Sequence, residues 1–301
     1  MDTMTIEQYE QIRSGGLGFI EQERGLIAVW GKEARQFLDG LITNDVKTLE
    51  DGAEMLAAFP NAQGRLVAVV RVKRTGDRYL FETEGSTRET IFHNLFRFTF
   101  AGDFFVEDLS SQYSYFEFFG SESIRLLEDG IAYGSGLNPG CFVTTEKLEE
   151  SRKAMLAAGG VEIGPDLHET LRIESGTLKY GVDYDDATIV PELGLEELIS
   201  YTKGCYIGQE IIARIHFRGH VAKRLTGLVI DTSGSEPAEL SAGVELTAAD
   251  GRNAGRITSV TFSPRLGSVI AIAVVRFDHL EPGTILNAEG YSANVAALPF
   301  I

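Results

Sequence analysis

The spacing of hydrophobic positions in the first third of the chain changes from one segment to the next. Residues 26–30 form a continuous apolar run that predicts a strand, and the apolar positions of residues 34–41 recur at helical spacing. After Gly64 comes a long β-branched segment, residues 65–72, and an aromatic segment follows the next Gly-Asp turn. Two such segments joined by a short turn predict a β-hairpin.

The pattern of the remaining chain predicts further strands and helices and then a barrel. Residues 113–119 alternate as a strand does, and residues 121–129 and 148–158 have helical spacing. From about Lys223 onward, short apolar segments are punctuated by Gly and Pro, which is typical of a small antiparallel barrel. Because strand pairs and helices recur without strict alternation, the predicted fold class is α+β. The predicted divisions are two strand-and-helix units, residues 1–103 and 104–221, and a C-terminal antiparallel β-barrel, residues 222–301.

Composition narrows the class of protein. The chain of 301 residues is 44% hydrophobic and 24% charged, as an ordinary globular protein is. It has no apolar run long enough for a membrane span, and its first residues lack the basic and apolar pattern of a signal peptide, so we expect a cytoplasmic protein with no membrane partner. The two cysteines, Cys141 and Cys205, cannot form a four-ligand metal site by themselves. The net charge of −17 argues against direct nucleic-acid binding.

One segment departs from this acidic balance. Residues 203–224 contain five Lys and Arg side chains against a single carboxylate, Glu210. A compact cationic segment in an acidic protein suggests a locally held anionic ligand. A solvated basic face explains the charge equally well, so charge alone leaves both interpretations open. An acidic segment that begins at Asp183 resembles the start of a calcium loop, but Thr188 and Gly194 occupy the positions that require Gly and Glu.

The most informative segment is residues 203–210, which read K-G-C-Y-I-G-Q-E. Its glycines permit a tight turn and the residues from Gln209 onward are compatible with a helix, so Cys205 is predicted to lie just before a helix N-terminus. The helix dipole and a nearby Lys203 would favour the thiolate form of that cysteine. A buried structural cysteine is the alternative, and spacing alone does not decide between them.

This segment resembles the K-G-C-[FY]-x-G-Q-E signature of the YgfZ-like branch of the glycine cleavage T-protein (aminomethyltransferase) superfamily. The resemblance extends over nearly the whole chain. Residues 31–46 are similar to the first-domain signature of the superfamily, residues 171–176 to its R-x-E-[AS]-G segment, and residues 255–300 to its terminal barrel. Mitochondrial relatives in this branch assist iron–sulfur cluster assembly.

The resemblance implies a central cavity for a folate, tetrahydrofolate being the expected cofactor. A pterin ring presents adjacent N–H donors that a carboxylate accepts, and its glutamyl tail requires cations. The resemblance assigns the carboxylate role to Glu174. The implied cofactor-binding residues are Arg172, Glu174, Tyr180, Gln209 and Arg214, and the implied reactive residues are Cys205 and Lys203.

One departure from the family pattern bears on activity. The resemblance implies that working aminomethyltransferases carry an Asp on the strand after Gly64, where this chain has Ala68 and Val69. Neither side chain exchanges a proton, so the chain is expected to be an accessory protein for iron–sulfur cluster assembly or repair, or for linked tRNA modification, with iron–sulfur client or assembly proteins as partners. The alternative is a tetrahydrofolate-dependent aminomethyltransferase or related demethylase that takes its acid from Asp45 or Glu54.

Overall fold

The chain folds into two compact units. The computed structural model describes residues 3–120, 127, 130–134, 138–232 and 240–301. The first unit contains Met1–Leu167 and Glu197–Gln209, and the second contains His168–Glu196 and Glu210–Ile301. None of the helices within the described ranges has the length and apolarity needed to cross a membrane. The predicted three-part division and the cytoplasmic location stay predictions.

The first unit consists of helices and strands. Its helices are α1 (Thr3–Arg13), α2 (Ala34–Asp39), α3 (Gly85–Phe96) and α4 (Leu148–Ala157). Its strands are β1 (Gly18–Gln22), β2 (Arg24–Trp30), β3 (Glu54–Pro60), β4 (Leu66–Thr75), β5 (Arg78–Glu84), β6 (Phe105–Asp108), β7 (Tyr113–Phe119), β8 (Ile131–Tyr133), β9 (Gly140–Thr144) and β10 (Val161–Glu162). The strand predictions for residues 26–30 and 113–119 and the helix prediction for 148–158 are confirmed. The helix predicted over 121–129 lies almost wholly outside the described residues.

The strands of the first unit form two sheets. Within the described residues, one sheet has the order β3-β4-β5-β2-β6 and the other β10-β1-β7-β9-β8. The predicted hairpin is β4 and β5, which pair antiparallel around a turn where Gly76 has a φ of 62°. A left-handed φ is accessible to glycine without steric cost, so the Gly-Asp turn fits the hairpin.

A charged cluster lies buried in the first unit. Arg71 projects from the β-branched strand β4 and donates its Nε–H to Glu82 Oε2 at 2.7 Å, while Arg24 bonds the other carboxylate oxygen. Although burial alone would raise the pKa of Glu82, the two guanidinium groups hold it below its usual range. Burial raises the pKa of the adjacent Tyr115 to about 12. The carboxylate therefore stays ionised between two cations, as a buried charge requires.

The second unit is organised around a closed barrel. Its helices are α5 (Pro165–Glu174), which enters this unit at His168, and α6 (Gln209–Arg218), which enters it at Glu210. Its strands are β11 (Lys223–Asp231), β12 (Glu245–Thr247), β13 (Asn253–Ser263), β14 (Ser268–Arg276), β15 (Ile285–Ala288) and β16 (Tyr291–Ala296). In the described part of the chain the barrel runs β11-β14-β13-β12-β15-β16, with every pair antiparallel. The predicted fold class and barrel are confirmed.

Candidate functional site

The signature segment forms a loop that ends where α6 begins. We call residues 203–209 the motif loop. Lys203 and Tyr206 are 8% and 7% exposed, and Ile207 packs against the main core of the first unit. Only Gly204 and Cys205, between these buried positions, are exposed within the first four residues of the loop. Cys205 therefore lies four positions before the helix. It belongs to a two-residue exposed arc, Gly204 and Cys205, between the buried Lys203 and Tyr206.

The ammonium group of Lys203 anchors the motif loop to the end of α2. It donates to three backbone carbonyls, those of Asp39 at 2.8 Å, Ile42 at 2.8 Å and Asn44 at 2.7 Å. An ammonium group has three N–H donors, so these bonds use all of them. The carbonyls at a helix C-terminus lack partners within the helix and attract cations. Lys203 thus supplies hydrogen bonds to three backbone carbonyls that lie about 160 positions earlier in the chain.

Asp39 sets the charge balance beneath this anchor. Its carboxylate lies 3.3 Å from Lys203 Nζ and 2.6 Å from Lys47 Nζ. Burial by itself would raise the pKa of Asp39, but Lys47 and Lys203 outweigh that effect and the pKa is lowered. Burial lowers the pKa of Lys203, and the Asp39 carboxylate opposes the change. The anchor therefore combines a charged pair with neutral carbonyl acceptors.

The first-domain signature holds the residues that precede the motif loop. Thr43 Oγ1 donates to the carbonyl of Leu198, and the Thr43 carbonyl accepts from Ser200 N at 3.0 Å. Asn44 Nδ2 donates to the carbonyl of Glu197 at 2.9 Å. The two signatures found in the sequence are therefore joined by hydrogen bonds in the first unit.

Gly208 closes the motif loop against the turn between β3 and β4. Its φ is 82°, and a Cβ at this position would lie 2.5 Å from the carbonyl oxygen of Asn61. Any side chain here would be strained by the backbone and would collide with main-chain atoms. Ile207 N donates to the carbonyl of Gly40 at 3.0 Å. Gln209 Nε2 reaches back to the Gly204 carbonyl at 3.3 Å, so its amide lies within the loop, and its contact with a cofactor stays a prediction.

Arg172 lies on α5 inside a hydrogen-bond network of the second unit. Its side chain is 3% exposed, and its donors go to Glu169 Oε1 and Oε2, Asp183 Oδ2, the Thr177 carbonyl and Ser259 Oγ, at 2.6–2.9 Å. A guanidinium group has five N–H donors, so the network uses every one. A folate contact by Arg172 stays a prediction, and it would require one of these bonds to break.

Asp183 is the buried partner of Arg172 that sequence spacing did not identify. Besides Arg172, its carboxylate accepts from Lys179 N at 2.9 Å, Thr258 Oγ1 at 2.6 Å and Ser259 Oγ at 2.7 Å. Its side chain has no exposed surface. The acidic segment that resembles a calcium loop thus contributes a structural counter-ion. Only the opposite charges of Arg172 and Asp183 within one short stretch signal this pairing in the sequence.

Glu174 ends α5 and is completely buried. Its carboxylate accepts from Ser263 Oγ, and its backbone carbonyl accepts from Phe300 N at 3.0 Å. Ser259 and Ser263 both lie on β13, so Arg172 and Glu174 attach α5 to this strand through separate serines. We call these four residues the α5–β13 contact.

Tyr180 and Arg214 occupy more open positions in the second unit. Tyr180 is half-buried and its ring meets that of Tyr184 edge-on, with centroids 5.6 Å apart. Arg214 is exposed on α6, and its guanidinium has no partner among the described residues. The cationic segment is thus not one surface, because its first lysine is buried in the first unit and Arg214 belongs to the second.

These side chains allow a test of the implied folate. A pterin needs an anionic acceptor, which Glu174 supplies, and a glutamyl tail needs a cation with free donors, which Arg214 supplies. Tyr180 offers an aromatic surface for stacking. The Glu174 carboxylate is nevertheless completely buried and accepts from Ser263, so folate binding by these three residues stays a prediction. Lys203 and Arg172 have every donor engaged within the protein.

The positions for a transfer acid are apolar in the structure. Ala68 lies on β4 with no exposed surface and belongs to the main core of the first unit, and Val69 is half-buried. Of the alternative acids, Asp45 Oδ1 accepts from Lys47 N at 2.9 Å. Glu54 Oε1 accepts from Gly134 N at 2.7 Å, and its other oxygen lies 3.8 Å from Lys73 Nζ. Both acids therefore take part in local structural contacts.

Comparison with known proteins agrees with the fold and the signatures. Residues 2–133 match the GCVT N-terminal domain, and residues 223–301 match the glycine cleavage T-protein C-terminal barrel domain. A crystal structure of aminomethyltransferase T of the glycine cleavage system from Bartonella henselae superposes with a TM-score of 0.88, covering 99% of this chain and 89% of that one, at 19% identity. At that identity the likeness shows the fold.

Two curated relatives point to different activities. The mitochondrial iron–sulfur cluster assembly factor IBA57 homolog of Mycosarcoma maydis is 28% identical over 71% of this chain and 57% of its own length. An aminomethyltransferase of Rubrobacter xylanophilus is 25% identical over 97% of this chain and 85% of its own length. Together with the two matching domains, these similarities assign the family. The chain belongs to the glycine cleavage T-protein superfamily, as a YgfZ-like member.

Proposed function

We propose that this protein is a folate-binding accessory factor for iron–sulfur cluster assembly or repair, or for tRNA modification linked to it, with Cys205 as its reactive thiol. The observation that carries the proposal is the exposed Cys205 between the buried Lys203 and Tyr206. A thiol held this way is accessible to a partner protein while its backbone is fixed. Cys141, by contrast, is 1% exposed, and burial raises its pKa to about 12.

Two further observations support the accessory role over aminomethyl transfer. The strand position where the family's acid is expected holds the buried Ala68, which cannot donate or accept a proton. The similarity to an iron–sulfur cluster assembly factor favours the same interpretation. In this proposal Glu174 accepts from the pterin and Arg214 binds the glutamyl tail, and the buried Ala68 leaves no strand acid to protonate the cofactor.

The test is complementation of iron–sulfur enzyme activity by Cys205→Ser in cells that lack the protein. Serine is nearly isosteric but is not a thiolate at neutral pH, so function should be lost while the thermal midpoint stays unchanged. Cys141→Ala is the control, because it removes the other thiol. It should complement fully once its unfolding midpoint is shown to lie above the assay temperature.

Full complementation by Cys205→Ser would make the thiol structural and contradict the proposal. Aminomethyltransferase or demethylase activity would then take precedence, with its acid at Asp45 or Glu54. Consumption of an amine donor by purified protein with tetrahydrofolate measures that alternative directly.

A further inference from the structure

A cavity on the outer face of the barrel is lined by polar and cationic side chains. It encloses about 510 Å³, within the range of small-molecule sites. Three long cations line it, Lys223 at the start of β11, Arg256 on β13 and Arg276 at the end of β14. All three residues are exposed in a chain whose net charge is −17. Because its lining belongs entirely to the second unit, the cavity is complete within that unit.

The sheet register places like charges together. Lys223 and Arg276 are direct partners on β11 and β14, so their side chains leave the same face side by side. Like charges directly opposite each other in an antiparallel pair are destabilising. Arg256 is the direct partner of Val274, two positions before Arg276 on β14 and therefore on the same face. The register gathers three cations at one end of the barrel, an arrangement that an anion would stabilise.

None of these three cations is held in an ion pair within the part of the chain that the structure describes. Among the residues that the structure describes, the side chains of Lys223, Arg256 and Arg276 have no hydrogen bond or ion pair. Two carboxylates, those of Glu245 and Asp278, line the same cavity, and neither is paired with a described cation. Glu245 even stands opposite Arg256 in the register without forming an ion pair. The charged groups are therefore available to a ligand.

One wall of the cavity is aromatic. The rings of His220 and Phe277 stack with centroids 3.7 Å apart and an angle of 14° between their planes. Phe277 N donates to the carbonyl of Ala222 at 3.0 Å, which fixes the stack beside Lys223. Phe277 is 42% exposed, so part of its ring surface is open to a flat ligand ring.

We propose that this cavity binds a nucleotide. The two guanidinium forks and the ammonium group suit phosphate oxygens, and the open surface of Phe277 suits a flat base. The carboxylates of Glu245 and Asp278 and the amide of Asn253, which also lines the cavity, can accept from sugar hydroxyls or an exocyclic amine. An inorganic anion would leave the aromatic wall and the carboxylates unused. The proposal is separate from folate binding, because Glu174, Tyr180 and Arg214 do not line this cavity.

The experiment is calorimetric titration of the full chain with adenosine 5′-monophosphate, and with adenosine and inorganic phosphate as partial ligands. The mononucleotide should bind one saturable site with a Kd below about 1 mM, and each partial ligand should bind at least about tenfold more weakly. Lys223→Gln should weaken binding by about fivefold and the double variant Arg256→Gln/Arg276→Gln by more than about tenfold. These side chains are exposed and Lys223 faces a like charge, so the unfolding midpoints of the variants should not fall.

The matched control is Lys153→Gln, an identical change at an exposed residue of α4 in the first unit, which should leave the affinity as it is. The proposal is overturned by three results. These are no saturable binding of the mononucleotide, unchanged affinity in the double variant, or phosphate binding as tightly as the mononucleotide. Complementation by Cys205→Ser is a separate measurement, so the two proposals can fail independently.

Discussion

The motif loop in the first unit and the α5–β13 contact in the second each bury a cation next to a residue expected to act in chemistry or binding. Lys203 donates to three neutral carbonyls and lies 3.3 Å from a carboxylate that Lys47 also contacts. Arg172 bonds two carboxylates, one of them fully buried. The first arrangement leaves an exposed thiol nearby, whereas the second leaves a buried carboxylate. A signature cation can therefore have a structural role while the residue near it remains the candidate for function.

The largest effect is expected at the α5–β13 contact. Arg172→Met would leave Asp183 buried without a cation, and breaking a buried ion pair in this way destabilises by about 3–5 kcal/mol. Urea denaturation measures the change in the free energy of unfolding. Arg214→Met removes an exposed guanidinium and should change little. If Arg172→Met lowered the free energy of unfolding no more than Arg214→Met does, the network would have no structural importance.

A somewhat smaller loss is expected at the motif loop. Lys203→Met leaves three carbonyls without their donor and Asp39 with Lys47 as its remaining cation, and buried acceptors that lose a partner cost about 1–3 kcal/mol each before relaxation. We expect a net loss of about 2–3 kcal/mol in urea denaturation, since water can replace part of the bonding. Lys47→Met, which removes the more exposed partner of the same carboxylate, is the control and should have a much smaller effect. A similar loss in both variants would mean that Asp39, and not the carbonyls, dominates the anchor.

Glu174 can be tested separately from its structural neighbours. Glu174→Gln replaces the charged acceptor with an amide, and hydrogen bonds to charged groups contribute about 1.5–3 kcal/mol. Calorimetric affinity for tetrahydrofolate should fall by about tenfold or more. Ser263→Ala is the control, because it removes the hydroxyl partner but keeps the carboxylate. Unchanged affinity in Glu174→Gln would restrict this residue to a structural role.

The smallest effect concerns acid stability. The pKa of Asp39 is lower in the folded protein than its ordinary value of 3.8. The stabilisation it gives is therefore present above pH ~4 and is lost as the pH falls through the folded-state pKa. Asp39→Asn should remove this part of the pH dependence. Urea denaturation at a series of pH values down to ~3 measures how the free energy of unfolding depends on pH. An identical pH dependence for the wild type and Asp39→Asn would exclude the contribution of Asp39.

The sequence predicted elements better than partners. Hydrophobic period and turn residues were enough to predict β2, the β4–β5 hairpin and the closed barrel, because these depend on local spacing. Spacing carries no information about which distant atoms a side chain meets. Lys203 was expected beside the thiol, yet its donors go to carbonyls near position 40. Arg71, in the middle of a β-branched run, gave no sign of its buried carboxylate partner.

For the candidate site too, the sequence predicted a local motif but not the long-range contacts of its residues. The motif and its cysteine could be found because all seven specified positions of an eight-residue pattern match, whereas the exposure of Cys205 is a property of the folded loop. Asp183 could not, because its importance comes from four hydrogen bonds, two of them from residues about 75 positions away. The barrel cavity was missed for a related reason. The cross-strand register that aligns Lys223 with Arg276 is a property of the folded sheet.

The two-residue exposed arc of the motif loop has a consequence for encounter with other molecules. Lys203 is bonded on one side, and Tyr206, Ile207 and Gly208 are buried or fixed on the other. A nucleophile on a flexible loop loses conformational entropy when it is captured in one reactive geometry, and that loss weakens every productive complex. For Cys205 most of this entropy is already lost when the chain folds. Under the proposed function, a partner that presents a matching group would therefore meet Cys205 on a backbone that needs little further ordering in the complex.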